Sequence, residues 1–172
     1  MTAEMNSAFE FSRPFDVRQL DHRAVQLVAD ARERQALTLR FGLVRIDRLE
    51  AEVVLVRQGE ALTATGTLSA DIVQSCAVSA EDLPVALREP LAFRFVPQGQ
   101  AHGPDAEIEL DADALDEIEF TGTVVDLGEA VAQSVALAID PFATGPEAEA
   151  ARTLLDEGGA SPFAALKGLI KD

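Results

Sequence analysis

Ala51-Glu-Val-Val-Leu-Val-Arg57, Gln58-Gly59-Glu60 and Ala61-Leu-Thr-Ala-Thr-Gly-Thr-Leu-Ser-Ala-Asp-Ile-Val73 run together as one stretch, and its reading decides the fold. Apolar residues recur at every second position on both sides of a three-residue break that contains a glycine. Strand side chains alternate between faces, so this spacing predicts a β-hairpin with one buried face. Downstream, Pro84-Val-Ala-Leu-Arg-Glu-Pro-Leu-Ala-Phe-Arg-Phe-Val96 alternates again, with Phe93 and Phe95 on one side and Arg94 on the other. Pro97 closes it, and the polar run through Pro104 reads as a loop.

Outward from this sheet the signals are shorter. Phe9 to Phe15 alternates until Pro14, which suits an edge strand. Asp21 is a candidate cap for a helix from about His22 to Ala36, because Val25, Leu27, Val28, Ala31 and Leu37 fall near helical spacing. Beyond the loop, Glu107-Ile-Glu-Leu110 and Ile118 to Val124 read as extended pieces. Asp126 is a good N-cap for a helix over Leu127 to Ala138, with Val131, Val135 and Leu137 toward the core and Pro141 after its end. Residues 143–160 are rich in Gly, Ala and Glu and read as a weakly helical linker. Ser161-Pro162 opens a short terminal helix. The expected class is α+β, an antiparallel sheet that can curl toward a barrel, with a few flanking helices. The expected organisation is one domain over 1–142, an acidic linker over 143–160 and a terminal box over 161–172.

Composition narrows the function. The 172 residues carry 30 acidic and 14 basic side chains, a net charge of −16. Hydrophobic residues at 48% exclude an acidic disordered chain. All nine aromatic residues are Phe, and no positive groove accompanies them, which argues against stacking on single-stranded nucleic acid. The charge is uneven. Residues 1–98 hold 11 basic and 14 acidic groups, net −3; residues 99–160 hold 1 and 15, net −14; residues 161–172 hold 2 and 1, net +1. Phosphates would meet a repulsive field, so a basic partner is the first expectation and DNA is not expected. The N-terminus lacks the basic start and apolar run of a signal peptide, and no apolar stretch is long enough to span a bilayer, so the reading is cytoplasmic with no membrane partner.

Chemistry-bearing residues are sparse. Cys76 is the sole cysteine, which excludes an intramolecular disulfide and any multi-cysteine zinc site. As a nucleophile it would need His22 or His102, and neither belongs to a catalytic motif, so a structural thiol is the better reading. Asp111, Asp113, Asp116, Glu117 and Glu119 offer oxygen ligands but lack the spacing of an EF-hand loop; a solvated acidic loop outweighs a metal-dependent enzyme. No phosphate-cradling loop, nucleophile elbow or HExxH is present. The expectation is therefore no enzyme and no cofactor. Nine arginines precede residue 60, Arg40, Arg45 and Arg48 among them; interleaved acids favour an ion-paired surface over a phosphate-binding patch.

Three segments in register resemble the YceD family. They are Gly66-Thr-Leu-Ser-Ala-Asp-Ile-Val-Gln-Ser-Cys76-Ala-Val-Ser79 with Leu83-Pro84-Val85, Phe120-Thr-Gly-Thr-Val-Val-Asp126-Leu127-Gly-Glu129 continuing to Asp140-Pro141-Phe142, and Ser161-Pro162-Phe163-Ala-Ala-Leu166-Lys167. The resemblance covers roughly residues 50–172. Members are called large ribosomal RNA subunit accumulation proteins, so it implies a non-enzymatic role in the synthesis, processing or stability of 23S rRNA in bacteria. Many members carry Cys-x-x-Cys where this chain has Cys76-x-x-Ser79, which leaves Cys76 to its structural reading. Charge and resemblance together suggest that an acidic face binds a basic ribosomal protein or assembly factor and affects rRNA indirectly. The candidate contacts are Asp111, Asp113, Asp116, Glu117, Glu119, Asp126 and Glu129, with Phe163 and Leu166 as a docking stripe. The alternative is direct rRNA binding through Arg40, Arg45 and Arg48.

Overall fold

In the computed structural model, residues 10–19, 22–99 and 116–158 are described, the last four without their side chains. The chain divides into two compact units, residues 1–74 with 84–139, and residues 75–83 with 140–172.

The first unit is built on the hairpin predicted above. Strand β3, Arg45–Gln58, and strand β4, Ala61–Ser75, pair antiparallel around the Gly59-Glu60 turn. Strand β2, His22–Val28, adds to the far side of β3, with Leu27 opposite Ala51. Strand β5, Asp82–Pro97, follows β4, and β6, Asp116–Phe120, joins β5 in parallel. The order β2-β3-β4-β5-β6 leaves β2 and β6 as the two ends, so the sheet stays open and does not close into a barrel. The parallel β6 also makes it mixed rather than wholly antiparallel. A second sheet pairs β1, Pro14–Asp16, with β7, Val124–Asp126. The class is α+β.

The buried face follows the alternation. Leu49, Ala51, Val53 and Leu55 of β3 are buried with Ala64, Leu68, Ala70 and Ile72 of β4. Gly66 falls in the same buried row, directly opposite Val53. A Cβ at Gly66 would stand 1.9 Å from the Glu52 carbonyl oxygen, so only glycine permits this approach of the two backbones. Helix α2, Leu127–Ala138, supplies Leu127, Ala130, Val131, Ala132 and Val135 to the core. Its N-cap is Asp126, as the sequence indicates.

The expected helix from His22 is not formed, and Asp21 lies outside the described residues. His22–Val28 is strand, and helix α1 runs Ala31–Phe41 from the Asp30 cap. Asp30 accepts the Glu33 amide at 2.8 Å while the Glu33 carboxylate accepts the Asp30 amide at 2.8 Å, a complete capping box. Gly42, at φ 65°, ends the helix in the left-handed region. Upstream of Asp30, seven residues of pairing to β3 outweigh a helical spacing that would have left Val28 buried; it is instead 53% exposed.

The second unit holds the loop Ser75–Leu83, residues 140–147 and helix α3, Ala148–Gly158. A helix therefore occupies much of the expected linker. The segment Glu107–Leu110 and the terminal box 161–172 lie outside the described residues.

Candidate functional site

Of the acidic residues proposed for a partner face, Asp116, Glu117 and Glu119 stand on β6, at one end of the five-stranded sheet. All three are exposed. Glu117 accepts Arg94 Nη1 across the β5–β6 pair at 2.7 Å. Asp116 and Glu119 make no ion pair among the described residues. Asp111, Asp113, Phe163 and Leu166 lie outside the described residues.

Asp126 and Glu129 are turned to internal work. Asp126 Oδ1 accepts the Glu129 amide at 3.1 Å and the Arg13 amide at 2.8 Å, and its other oxygen accepts the Ser12 hydroxyl. Through the Leu127 amide, which donates to the Arg13 carbonyl at 3.0 Å, the start of α2 is fastened to residues 12–13. Glu129 is buried and receives a two-pronged bond from Arg40, Nη1 at 2.8 Å and Nη2 at 2.7 Å, with Gln133 Nε2 at 3.1 Å. The Arg40 guanidinium holds the Glu129 carboxyl below its usual range, with the Gln133 bond acting in the same sense. Neither carboxylate faces outward as sequence position alone suggested.

The arginines of the alternative reading are also occupied. Arg40 bridges Glu129 and Glu10. Arg45 pairs with Asp47 at 3.0 Å. Arg48 pairs with Glu50 and with Asp71, the latter at 2.8 Å, and Arg88 reaches the same Asp71 at 3.2 Å. Every one of these cations has a carboxylate partner, whereas Arg34 bonds to the Ala29 carbonyl and Arg57 to the Gly59 carbonyl.

In the second unit, Cys76 sits at the start of a tight loop and is buried. Its amide donates to the Glu81 carbonyl at 2.8 Å, closing the loop. Its sulfur accepts the amides of Val78 at 3.5 Å, Ser79 at 3.4 Å and Gly145 at 3.4 Å. The Ser79 side chain, ahead of these amides, lowers the thiol to about 7. Glu81 Oε1 accepts the Ser79 hydroxyl at 3.0 Å and the Glu147 amide at 2.8 Å, just ahead of α3. Sequence reasoning found Cys76 but missed Glu81, whose role depends on residues 66 positions away. No histidine hydrogen bonds to the sulfur among the described residues, and His102 lies outside them.

A shallow hollow of about 510 Å³ on the sheet is lined in part by Ala24, Gln26, Glu52, Val54 and Thr65. Among the described residues there is no group of three or more His, Cys, Asp or Glu side chains placed to hold a metal, and no helix long and apolar enough to cross a membrane. No protein-family model, curated protein or solved structure matches the chain.

Proposed function

We propose that the chain is a YceD-like, non-enzymatic accessory factor of ribosome biogenesis. It promotes the accumulation of 23S rRNA by binding a basic ribosomal protein or assembly factor. One observation supports this over direct RNA binding: the asymmetry in how the two signs of charge are used. Arg40, Arg45 and Arg48 are held by carboxylates, whereas Asp116 and Glu119 of β6 are exposed without an ion pair among the described residues. Phosphate binding at Arg40, Arg45 or Arg48 would have to break existing pairs against a net charge of −16. A lysine-rich surface would find free carboxylates at β6 and a long-range field that speeds its approach.

The test is direct titration of the purified chain with purified basic large-subunit ribosomal proteins and, separately, with 23S rRNA fragments. The reading expects saturable binding to at least one of the proteins, weakened by salt, and 23S rRNA levels that fall when the gene is removed. Tight binding to naked rRNA with no protein partner would overturn it.

A further inference from the structure

The end of the sheet opposite β6 is open in a different way. β6 is five residues long and carries Asp116, Glu117 and Glu119, a charged, short edge of the kind that resists further pairing. β2 has seven residues, no proline and no register break against β3, and Ala24-Val25-Gln26-Leu27-Val28 is uncharged. Among the described residues no strand pairs its outer side.

The phase of the ladder fixes which backbone groups face outward. The Ala29 amide donates to the Leu49 carbonyl at 3.0 Å, which continues the β2–β3 register and makes residues 23, 25, 27 and 29 the ones bonded to β3. The N–H and C=O groups of His22, Ala24, Gln26 and Val28 therefore point away from the sheet. The Val28 carbonyl bears this out, since it accepts Arg13 Nη2 at 3.0 Å from that side.

We propose that this edge pairs antiparallel with β2 of a second copy of the chain, joining two sheets into one. The register is self-complementary: with Val25 opposite Val25 on the two-fold axis, Ala24 meets Gln26 of the other copy and His22 meets Val28. Ala24 and Gln26 present donors and acceptors in phase, while at the ends of the seam the Val28 carbonyl holds Arg13 Nη2 and would exchange it for the His22 amide of the other copy. Side chains agree. Arg23, the one formally charged residue of β2, stands opposite Leu27, and no like charges oppose each other across the seam. A basic extended peptide fits less well, because β2 offers it no carboxylate and presents Arg23. The second copy must overcome the mutual repulsion of two chains at −16, so salt strengthens this contact. Salt weakens the basic-partner contact proposed above, and the two ideas therefore fail independently.

Sedimentation of the full chain across a wide concentration range, at low salt and at about 0.5 M salt, gives the first answer. The mass should rise from 18.3 kDa toward twice that value, more readily at high salt. Gln26→Pro removes an outward amide without touching a bond to β3 and should leave a monomer. Ala24→Lys with Gln26→Lys should do the same through facing lysines. Ala24→Glu with Gln26→Lys places opposite charges at the facing positions and should restore the dimer, which tests the register itself. A monomer under every condition overturns the proposal, as does a dimer that survives Gln26→Pro. Equal behaviour of the two charge pairs overturns the register, and amide protection at Ala24 and Gln26 that appears only on adding a polylysine peptide assigns the edge to a different occupant.

Discussion

A sulfur that accepts three backbone amides beside the Ser79 side chain gains most once it is negative, because each donor is charge-assisted only by the thiolate. Cys76 accordingly titrates at about 7, below the usual thiol value of 9.0. The thiolate absorbance of the folded chain should rise with a midpoint near 7, and Ser79→Ala should move that midpoint upward. The linkage has a definite sign. Between about 7 and 9 the unfolded chain holds more protons at this site than the folded one, so its contribution to stability grows as pH rises through that interval and vanishes below it. Urea midpoints of the native chain and Cys76→Ser, compared at the two ends of the interval, would show the difference. No sequence reading could supply this, since the Gly145 amide reaches the sulfur from 69 residues away. What the sequence does carry is the short spacing from Cys76 to Ser79, which lets the Ser79 amide reach the sulfur at 3.4 Å.

Between elements, the Arg40–Glu129 pair ties α1 to α2, and it matters because α1 buries only Leu37 by its own apolar residues. A helix with so little apolar anchorage depends on its polar contacts: Arg40 to Glu129 at one end, and Arg13 to Glu33 at 2.6 Å at the other. Glu129→Gln should lower stability by about 2 kcal/mol, since it leaves a partly buried guanidinium short of its counter-charge. The folded Glu129 carboxyl lies below its ordinary value of 4.5, so its stabilisation is complete above that value and is lost as pH falls through the lowered one. Acid denaturation monitored by circular dichroism should therefore be shallower in Glu129→Gln. Gly66→Ala should act on β3–β4 instead. Its Cβ meets backbone, not a side chain that can swing away, and about 3 kcal/mol of destabilisation in a thermal or urea melt is expected. The elements themselves were legible in proportion to how local their causes are. The β3–β4 hairpin, β5 and α2 carry period, turn and cap within a few residues of themselves, and they form where the sequence places them. β2 does not. Val25, Leu27, Val28 and Ala31 satisfy a helical period, and only pairing to residues 50–56 makes them a strand. The capping box that marks the true start of α1 was nonetheless present as Asp30-Ala-Arg-Glu33.

Charge is the property of the whole molecule, and the structure changes how its −16 should be counted. Carboxylates such as Glu33, Asp71 and Glu129 are committed to arginines and contribute little to a partner's field at short range. Among the described residues, the acid left to act is that which has no cation beside it, and on β6 this means Asp116 and Glu119. Strand chemistry explains why these two can be spared. They lie at an exposed sheet end, where their removal disturbs no buried bond and slightly relieves repulsion within the chain. Asp116→Asn with Glu119→Gln should therefore leave the melting temperature unchanged within a degree or two, or raise it slightly. The same pair of substitutions should slow association with a basic ribosomal protein several-fold at low salt, and that difference should fade as ionic strength rises. Removing Arg45, already paired with Asp47 on the surface, should not slow association and should hasten it slightly by adding to the net negative charge. Stopped-flow association rates across a salt series separate these cases. A variant that loses binding equally at low and high salt would mean that β6 makes short-range contacts, and the long-range field would then have no part in bringing the partner in.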